Sequence, residues 1–418
     1  MNKARKKEKL KILVLISGSI AAVRIPLLIS KLIKENYTVK CVLTKSAENL
    51  IQPLSLSILS RNKCFKDKDQ WDIKKSKPLH IKLSEWADVL IIAPLTATTL
   101  SKWVYGNAEG LVSSILIANT KPIIVAPAMN TNMWLNNAVQ KNYEILKSFK
   151  NVLLISPSEG LLACDQFGIG KIPPNDLILL ALKYLQNQRD KLSFDDLRNK
   201  SFLITGGATS EQIDPARRIT NNSSGIMSLL IAQIARFRGA KVTYIHGPLN
   251  INSDKLDGIK SLQIESGKEL AIAIRKEIDK HEYLIMNAAV TDITLTTQIS
   301  EKIPKNNLKE HLSNNFDLVP DILKEICSIK KSNQKFVGFC AFTGSLENLR
   351  KIIKNKFAIK GCDFIFANPI DIPGQGFGEN SENEGWLFDQ KDMEFHIPKT
   401  TKLELANKLI NKIISIDK

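Results

Sequence analysis

Short apolar runs alternate with helical segments along this chain, and the alternation limits the possible folds more than any other feature. In the first half, five runs read as strands, over residues 12–16, 38–43, 89–93, 123–126 and 152–155. A helix is predicted over 26–35, between the first two strands. Buried strands separated by helices indicate a parallel, doubly wound sheet.

The same pattern begins again after residue 200. Strands are predicted over 201–205, 241–245, 283–286 and 364–367, with a helix over 225–238. The intervening residues 186–200 are charged and lack a long apolar run, so they are predicted to form a linker and the start of a second domain. At 418 residues the chain is long for one domain. We therefore expect two doubly wound α/β domains, 1–189 and 190–418.

Composition excludes some functional classes. The net charge is +17, but the excess is mostly lysine spread along the chain, so we expect a compositional bias and no binding of nucleic acid. No apolar run approaches the roughly 18 residues of a membrane span, so no membrane association is expected. The six cysteines lack a C-x-x-C spacing, which predicts reduced thiols in the cytoplasm and no structural zinc. The basic start resembles a signal peptide, but the apolar run that follows is too short, so a basic tail and then a strand are predicted.

Small hydroxylic residues and glycine follow three of the first four strands. The loops in question are Ser17-Gly18-Ser19, the segment from Thr44 to Ser46, and the segment from Thr96 to Thr99. Such loops let backbone N–H groups and a helix N-terminus approach a phosphate. The G-x-G-x-x-G fingerprint is absent. A phosphorylated cofactor is therefore predicted, although not through the usual dinucleotide motif.

A polar loop follows the predicted strand 123–126. Open α/β sheets bind ligands at the carboxyl ends of their strands, where Asn130 lies. Its amide carries two donors and no charge, which suits holding a carboxylate that is later lost. The alternative is an ordinary connection with Asn130 as a helix cap.

His80 and Cys164 are the other candidates for chemistry in the first half. His80 could serve as a general base near neutral pH, although a lone histidine is usually structural or exposed. Cys164 lies in a glycine-containing segment, 161–171, which could form a mobile flap that delivers a proton. The alternative for Cys164 is a buried, unreactive thiol.

In the second half, residues 217–225 place amides and hydroxyls, including Asn221, just before a predicted helix. This arrangement suits a phosphate or the oxyanion of an acyl phosphate. Asp292 follows a strand and could bind a ribose or Mg²⁺. Lys302, Lys356 and Lys360 could bind a triphosphate, or they could be solvated surface charges.

Together these segments resemble the bifunctional coenzyme A biosynthesis flavoproteins, in which phosphopantothenoylcysteine decarboxylase is fused to phosphopantothenate–cysteine ligase. The decarboxylase half of the resemblance is carried by Ser17-Gly18-Ser19-Ile20-Ala21-Ala22, His80 with Trp86-Ala87-Asp88, Ala93-Pro94-Leu95-Thr96-Ala97, Pro127-Ala128-Met129-Asn130 with Met133, and Ala163-Cys164. The ligase half is carried by Ile204-Thr205-Gly206-Gly207-Ala208-Thr209, Asp214-Pro215-Ala216-Arg217, Asn221-Asn222-Ser223-Ser224-Gly225, Ala288-Ala289-Val290-Thr291-Asp292, Glu301-Lys302-Ile303, Val319-Pro320-Asp321-Ile322, Val337-Gly338-Phe339, the segment from Lys356 to Lys360, and Ala367-Asn368. The resemblance covers almost the whole chain.

The resemblance implies a flavodoxin-like flavoprotein domain followed by a Rossmann-like ligase domain. It implies that the ligase joins cysteine to 4′-phosphopantothenate through an acyl-cytidylate, using CTP and Mg²⁺, and that the decarboxylase uses FMN to give 4′-phosphopantetheine. His80 would be the base, Asn130 would hold the carboxylate, Cys164 would donate a proton, and Asn221 would act at the acyl-cytidylate. The implied FMN contacts are Gly18, Ser19, Ile20, Thr44, Ser46, Thr96, Thr98 and Met129. The implied nucleotide contacts are Gly207, Ala288, Asp292, Lys302, Val319, Pro320, Asp321, Ile322, Phe339, Lys356 and Lys360.

The resemblance also implies a homo-oligomer, with a trimeric flavin domain and a dimeric ligase domain. Three ligase positions depart from the family pattern. Ile226 stands where a phosphate-binding lysine is common, the turn 206–209 lacks the usual Ala-Gly-Pro-Thr, and Phe342 stands where an acidic residue is frequent. Two other functions stay open at this point. One is a flavin-binding regulator without turnover, and the other is a nucleotide-dependent oxidoreductase, which the doubly wound folds alone would permit.

Overall fold

A computed structural model describes residues 9–71, 76–188, 194–249, 251–297, 299–376, 382–391 and 393–416. The predicted basic tail, 1–8, and the predicted domain boundary between 189 and 190 lie outside the described residues. The contacts within the chain divide it into two compact units, 1–196 and 197–418.

The first unit is built on a six-stranded parallel sheet with the order β3-β2-β1-β4-β5-β6. Its strands are β1 Lys11–Ile16, β2 Thr38–Leu43, β3 Cys64–Lys66, β4 Val89–Leu95, β5 Ile123–Pro127 and β6 Val152–Leu154. The central strands β1, β4 and β5 are buried along almost their whole length. This burial explains why they read as continuous apolar runs rather than as alternating patterns.

Helices connect these strands, and a hairpin follows the last one. The helices are α1 Ile25–Lys34, α2 Pro53–Ser60, α3 Leu79–Trp86, α4 Ala97–Val104, α5 Leu111–Ala118, α6 Thr131–Leu135, α7 Asn137–Lys147 and α8 Asn175–Gln186. The hairpin pairs β7 Ser158–Leu161 with β8 Phe167–Lys171 in antiparallel register. The direction of winding changes between β1 and β4, so the loops after these two strands border the crevice where such sheets bind ligands.

The second unit is built on an eight-stranded sheet with the order β13-β12-β9-β14-β17-β18-β19-β20. The sheet strands are β9 Ser201–Gly206, β12 Lys241–His246, β13 Lys260–Gln263, β14 Tyr283–Met286, β17 Lys335–Phe342, β18 Phe364–Pro369, β19 Glu382–Asp389 and β20 Glu394–Thr401. The first six of these pair in parallel, whereas β19 and β20 are antiparallel. The winding changes between β9 and β14.

In the described part of the second unit, six helices and two small antiparallel strand pairs complete the fold. The helices are α9 Ile226–Phe237, α10 Gly267–Glu277, α11 Leu308–Asn314, α12 Ile322–Ser328, α13 Leu346–Lys360 and α14 Lys402–Ile416. The pairs are the hairpin of β10 Ser210–Asp214 with β11 Arg217–Thr220, and β15 Ile293–Leu295 with β16 Phe316–Leu318, which α11 separates in sequence. β10 follows the carboxyl end of β9, and β15 follows the carboxyl end of β14.

The predicted doubly wound α/β fold is confirmed in both units. The strands that sequence analysis missed are short, as in β3, or have an apolar run interrupted by polar residues, glycine or proline, as in β17, β19, β20 and the β7–β8 hairpin. Within the described residues, no helix combines the length and the apolar character needed to cross a bilayer. All six cysteines are free thiols.

Candidate active sites

The loops after β1 and β4 are joined by the buried side chain of Ser17. Its hydroxyl donates to the carbonyl of Pro94 at 2.7 Å and accepts from the backbone N–H of Thr96 at 3.0 Å. Thr96 in turn caps α4 and accepts from the N–H of Thr99 at 3.3 Å. The start of α4 is therefore fixed beside the Ser17–Ser19 loop, with its N–H groups directed into the crevice.

Gly18 allows a third loop to approach. A Cβ at Gly18 would overlap the side chain of Ser46, so only glycine lets the loops after β1 and β2 pack this closely. The three loops enclose a cavity of about 530 Å³. Every predicted cofactor residue except Ile20 lines it, namely Gly18, Ser19, Thr44, Ser46, Thr96, Thr98 and Met129.

A second cavity, of about 540 Å³, lies on the other side of the Met129–Asn130 segment. Ile20, Cys164 and the hairpin residues around it line this cavity. Ser19, Ala128, Met129 and Asn130 line both cavities. A cofactor in the first cavity and a substrate in the second would therefore meet at Asn130.

The oxygen and the nitrogen of the Asn130 side-chain amide have different hydrogen-bond partners. Its Oδ1 accepts from the N–H of Asn132 at 2.8 Å and caps α6, so the helix-cap interpretation holds for this atom. Its Nδ2 donates to the Sγ of Cys164 at 3.2 Å. The capping bond fixes the amide orientation and thereby directs the donor toward the thiol.

Cys164 lies in the turn between β7 and β8, and its side chain is exposed. The alternative of a buried, unreactive thiol is therefore wrong. The hairpin rests on the Asn130 loop, because the N–H of Met129 donates to the carbonyl of Gly170 at 2.9 Å. A Cβ at Gly170 would overlap the carbonyl oxygen of Met129, and one at Gly168 would overlap Thr131. These glycines let the hairpin place Cys164 beside Asn130.

His80 lies elsewhere in the first unit. It is the second residue of α3, it is half-buried, and it lines neither cavity. The structure thus brings together Asn130, Cys164 and the predicted cofactor residues, but it does not place His80 with them.

In the second unit, the loops after β9 and β14 pair with each other. The N–H of Ala289 donates to the carbonyl of Gly207 at 2.8 Å, and the N–H of Thr209 donates to the carbonyl of Ala289 at 3.1 Å. The side chain of Asn221 joins this pair, donating from Nδ2 to the carbonyl of Val290 at 2.8 Å. Three of the predicted segments therefore meet at the change in winding of the second sheet.

The loop pair extends to the predicted nucleotide residues near α12. The N–H of Val319 donates to the carbonyl of Asp292 at 2.9 Å. Asp321, two residues later, caps α12 and forms an ion pair with Lys360 at 3.0 Å. Burial opposes ionisation of Asp321, but the N–H of Lys324, Lys360 and the charge of Lys356 together hold its pKa below the ordinary value. The two lysines therefore lie close to the end of the Val319–Asp321 segment.

Asp214 holds the loop that carries Lys302. The carboxylate is buried and accepts from the N–H of Ile303 at 3.2 Å and from Nη1 of Arg217 at 2.8 Å. Arg217 also donates to the carbonyl of Ile303 at 3.1 Å. Lys302 itself is exposed. Sequence analysis quoted Asp214 within a motif without giving it a role, and only the pairing across 89 residues reveals one.

A buried hydroxyl–carboxylate network that sequence analysis did not identify supports the same loops. Thr209 and Thr291 are buried, and their hydroxyl oxygens lie 3.2 Å apart. Glu211, also buried, accepts from the hydroxyl of Thr294 at 2.9 Å and from the N–H of Gly267 at 2.8 Å. The threonines that follow β9 and β14 could have indicated this network from sequence, because buried hydroxyls require hydrogen-bond partners.

The remaining ligase positions lie nearby in the fold. Phe339 is half-buried on β17, with its ring centroid 5.1 Å from that of Phe366. Ile226 is buried as the first residue of α9, and Phe342 packs edge-on against Trp386 at 5.8 Å. Both departures from the family pattern are therefore core residues. Among the described residues, no three His, Cys, Asp or Glu side chains are grouped as metal ligands.

Comparison with known proteins identifies the family. The flavoprotein family model matches residues 1–185, and the model for the DNA/pantothenate metabolism flavoprotein C-terminal domain matches 197–416. The coenzyme A biosynthesis bifunctional protein CoaBC of Borreliella burgdorferi is 33% identical over 399 residues, covering 96% of this chain and 97% of that protein. The chain belongs to the family of bifunctional coenzyme A biosynthesis proteins.

A second curated protein and a solved structure are also similar to this chain. The CoaBC protein of Bacillus subtilis is 32% identical over 412 residues, covering 97% of each chain. A solved structure of a PPC decarboxylase mutant complexed with pantothenoylaminoethenethiol is 35% identical and covers 43% of this chain and 99% of its own, with a TM-score of 0.40. The family resemblance predicted from the motifs is confirmed, and the chain is a bifunctional flavoprotein enzyme of coenzyme A biosynthesis.

Proposed function

We propose that this chain catalyses two consecutive reactions of coenzyme A biosynthesis. The second unit joins cysteine to 4′-phosphopantothenate with CTP, and the first unit decarboxylates the resulting 4′-phosphopantothenoylcysteine to 4′-phosphopantetheine. Family membership supports both reactions. The main structural support for the decarboxylation is the contact between Asn130 and Cys164, which lies at the junction of two cavities.

The first cavity suits the phosphate and ring of FMN. The close approach at Gly18 and the N–H groups at the start of α4 make a cradle for a phosphate. Ser19, Thr44, Ser46, Thr96 and Thr98 would hold the cofactor through hydroxyls, and Met129 would contact it from the side of the second cavity. When bound there, FMN supplies the two-electron redox chemistry that makes loss of CO₂ from a cysteinyl group possible.

The protein residues position the substrate and move its protons. The Nδ2 donor of Asn130 would hold the carboxylate, and because the amide is uncharged it does not oppose the loss of that charge. The thiol of Cys164, held beside Asn130, would donate the proton needed at the carbon that loses CO₂. His80 would serve as the base that the reaction requires.

We propose further that the flavin domain is a trimer and the ligase domain a dimer. His80 lines neither cavity of its own chain, so we propose that the His80 of a second copy completes the site. Exposed apolar side chains on and near α1 and α2 support an interface, among them Ile20, Leu27, Leu54 and Ile58. The protein is proposed to act in the cytoplasm, where the exposed thiol of Cys164 stays reduced.

In the ligase, the nucleotide would bind along the loops that meet at β9 and β14. Gly207, Ala288 and Asp292 would contact CTP from these loops, and Val319, Pro320, Asp321 and Ile322 from the start of α12. Phe339, Lys302, Lys356 and Lys360 would complete the site, with the lysines facing the phosphates and Mg²⁺ accompanying them. Asn221, fixed on the carbonyl of Val290, would act at the acyl-cytidylate.

A product mass spectrum tests the whole proposal. Purified protein is given 4′-phosphopantothenate, cysteine, CTP and Mg²⁺, and 4′-phosphopantetheine is the expected product. If it is absent, phosphopantothenoylcysteine is added to the same sample. Decarboxylation at that point would locate the defect in the ligase, where Ile226 and Phe342 depart from the family. No turnover of either substrate would contradict the proposal and favour a flavin-binding regulator.

A further inference from the structure

A buried carboxylate lies beside the loop that follows β14 and has no role in the reactions proposed above. Glu211 is the second residue of β10 and is 8% exposed. Within the described part of the chain it forms no ion pair, and its partners are a backbone N–H and two hydroxyl groups. A carboxylate buried without a cation is stable only where such donors meet its oxygens. The groups that donate to Glu211 are therefore held in one arrangement.

Glu211 holds the loop after β14 on both sides of Asp292. Its Oε2 accepts from the hydroxyl of Thr294, two residues after Asp292, at 2.9 Å. Its Oε1 accepts from the hydroxyl of Thr291 over a longer distance, 3.4 Å. Thr291 is buried, whereas Asp292 is exposed. The carboxylate therefore fixes the surroundings of a residue whose own side chain is accessible to a ligand.

The same carboxylate fixes the start of α10. Its Oε1 accepts from the N–H of Gly267, the first residue of α10, at 2.8 Å. Beside it, the N–H of Ser210 donates to the carbonyl of Glu265 at 2.8 Å. A Cβ at Gly267 would lie 3.0 Å from Cγ1 of Val319 and 3.6 Å from Cγ1 of Val290. The start of α10 therefore packs against both segments, after β14 and before α12, that are proposed to contact the nucleotide.

The β10–β11 hairpin connects this arrangement to Asn221. Glu211 pairs with Ile219 of β11, and β11 ends at Thr220, the residue before Asn221. Asn221 in turn donates to the carbonyl of Val290. Glu211 therefore lies where the loop after β14, the start of α10 and the hairpin that leads to Asn221 meet.

We propose that Glu211 is a positioning residue of the ligase, whose hydrogen bonds with Thr294 and Gly267 hold Asp292 in the orientation that binds CTP. This inference rests on the proposed ligation. Because the carboxylate is buried and its oxygens accept from protein donors, it acts through Asp292 and not on the nucleotide itself. A loop that is already ordered before the ligand arrives loses less entropy on binding, so nucleotide affinity is the property that Glu211 controls.

The test measures KM for CTP and kcat for amide formation in the full-length enzyme. Thr294→Val removes only the hydroxyl that donates to Glu211. It is expected to raise KM for CTP about tenfold, the loss of one hydrogen bond to a charged group, with a smaller change in kcat. KM for cysteine and the decarboxylation of added phosphopantothenoylcysteine should not change. Thr296→Val is the control, because the side chain of Thr296 is exposed and makes no hydrogen bond among the described residues.

Two substitutions of Glu211 separate hydrogen bonding from charge. Glu211→Gln keeps an acceptor for the N–H of Gly267, and its amide N–H can donate to the hydroxyl oxygen of Thr294. KM for CTP in this variant should stay within about threefold of the wild-type value. Glu211→Ala loses both contacts and should raise KM at least as much as Thr294→Val does. If Glu211→Ala does not fold, Thr294→Val and Glu211→Gln still decide the matter.

Equilibrium titration with CTP and Mg²⁺ gives a readout that does not depend on turnover, and Thr294→Val should weaken CTP binding by about the same factor as it raises KM. Unchanged KM and Kd for CTP in Thr294→Val, with or without a fall in kcat, would overturn the inference, as would an equal effect of Thr296→Val. A tenfold or greater rise in KM in Glu211→Gln would also overturn it, because charge would then matter more than hydrogen bonding. Failure of the wild type to form the amide from 4′-phosphopantothenate, cysteine and CTP would instead overturn the proposed function itself.

Discussion

The amide Nδ2 of Asn130 lies 3.2 Å from the Sγ of Cys164, although the two residues come from different elements. Asn130 begins α6 at the end of β5, and Cys164 lies in the turn of the β7–β8 hairpin. The cap of α6 fixes one partner, and the bond between Met129 and Gly170 fixes the other. Two separate hydrogen bonds therefore fix the geometry of this contact, as expected for groups proposed to meet a substrate in one orientation.

Asn130→Asp is expected to reduce decarboxylation about 100-fold or more, because it replaces the donor to the thiol, which is also the proposed donor to the substrate carboxylate, with a repelling charge. The cap of α6 should survive, since a carboxylate caps helices as well as an amide does. The measurement is the rate of CO₂ release from phosphopantothenoylcysteine. Asn132→Asp, an equal change two residues away, is the control and should retain activity. Equal rates in the two variants would contradict the role given to Asn130.

Gly170→Ala is expected to separate the hairpin from the Asn130 loop. The added methyl group would overlap the carbonyl oxygen of Met129, and the φ of +140° at this glycine is unfavourable for alanine. Decarboxylation should fall at least tenfold while amide formation continues, because the change lies in the first unit. Gly106→Ala provides the matched control, since its φ is +71° but no atom lies within 4 Å of an added Cβ. A similar loss in both variants would show that backbone strain, not hairpin contact, is responsible.

If His80 acts in the site of a neighbouring copy, two inactive variants should regain activity when they assemble into one oligomer. His80→Asn and Cys164→Ser are each expected to abolish decarboxylation. Co-expression in equal amounts should recover about a quarter of wild-type activity, because random assembly of a ring pairs an intact His80 with an intact Cys164 at that fraction of interfaces. Chromatography and activity assays of the mixed protein measure this. No recovery from a mixed oligomer would place His80 in the same chain as Cys164.

Asp214→Asn is expected to weaken the hydrogen bond from the N–H of Ile303 and so to loosen the loop that carries Lys302. The carboxylate is ionised at neutral pH: burial alone would raise its pKa, but the N–H groups of Ala216 and Ile303 and the charge of Arg217 lower it. The KM for CTP should rise about tenfold with a smaller change in kcat, since Lys302 is proposed to contribute to CTP binding. Decarboxylation of added phosphopantothenoylcysteine should not change. Asp279→Asn, which removes only a surface pair with Lys331, is the control.

Much of the fold follows from local sequence, and the reason is visible in particular strands. Strands β1, β4 and β5 are buried on both faces, so they appear as apolar runs that identify a parallel sheet without further information. β17 was missed although it is eight residues long, because Gly338 interrupts its apolar run where Leu323 packs closely. The small hairpins were missed because their strands are short and carry polar residues or glycine instead of an apolar run.

The candidate sites were predictable to different degrees. Gly18 and Asn130 lie in loops that end buried strands, where sequence position alone indicates a ligand site, and Asn221 lies in a polar segment just before a helix. Asp214 could not be assigned a role in this way, because its significance comes from a contact with Ile303 in a distant segment. The position of His80 outside both cavities also depends on tertiary structure. Local patterns located the site loops and several of their charged residues, whereas the contacts that hold these loops, such as that of Asp214 with Ile303, required the fold.

The stability of the second unit should decrease as the pH falls below about 6.5, the ordinary pKa of histidine. His281 is buried, its Nδ1–H donates to the carbonyl of Glu277 at 2.8 Å, and its Nε2 accepts from the hydroxyl of Thr243 at 3.0 Å. Burial lowers its pKa, and the bond to Glu277 offsets this only in part. The unfolded chain therefore binds the proton more readily than the folded one, so this contribution to stability is complete above the unfolded pKa and is lost below it.

Urea unfolding read by pulse proteolysis at pH 7.5 and 5.5 measures the effect in each unit. His281→Asn should lower stability at pH 7.5 and reduce the pH dependence of the second unit, leaving the part due to His246, whose pKa burial also lowers, whereas His80→Asn should leave that dependence unchanged. An unaltered pH dependence in His281→Asn would mean that other groups cause the loss.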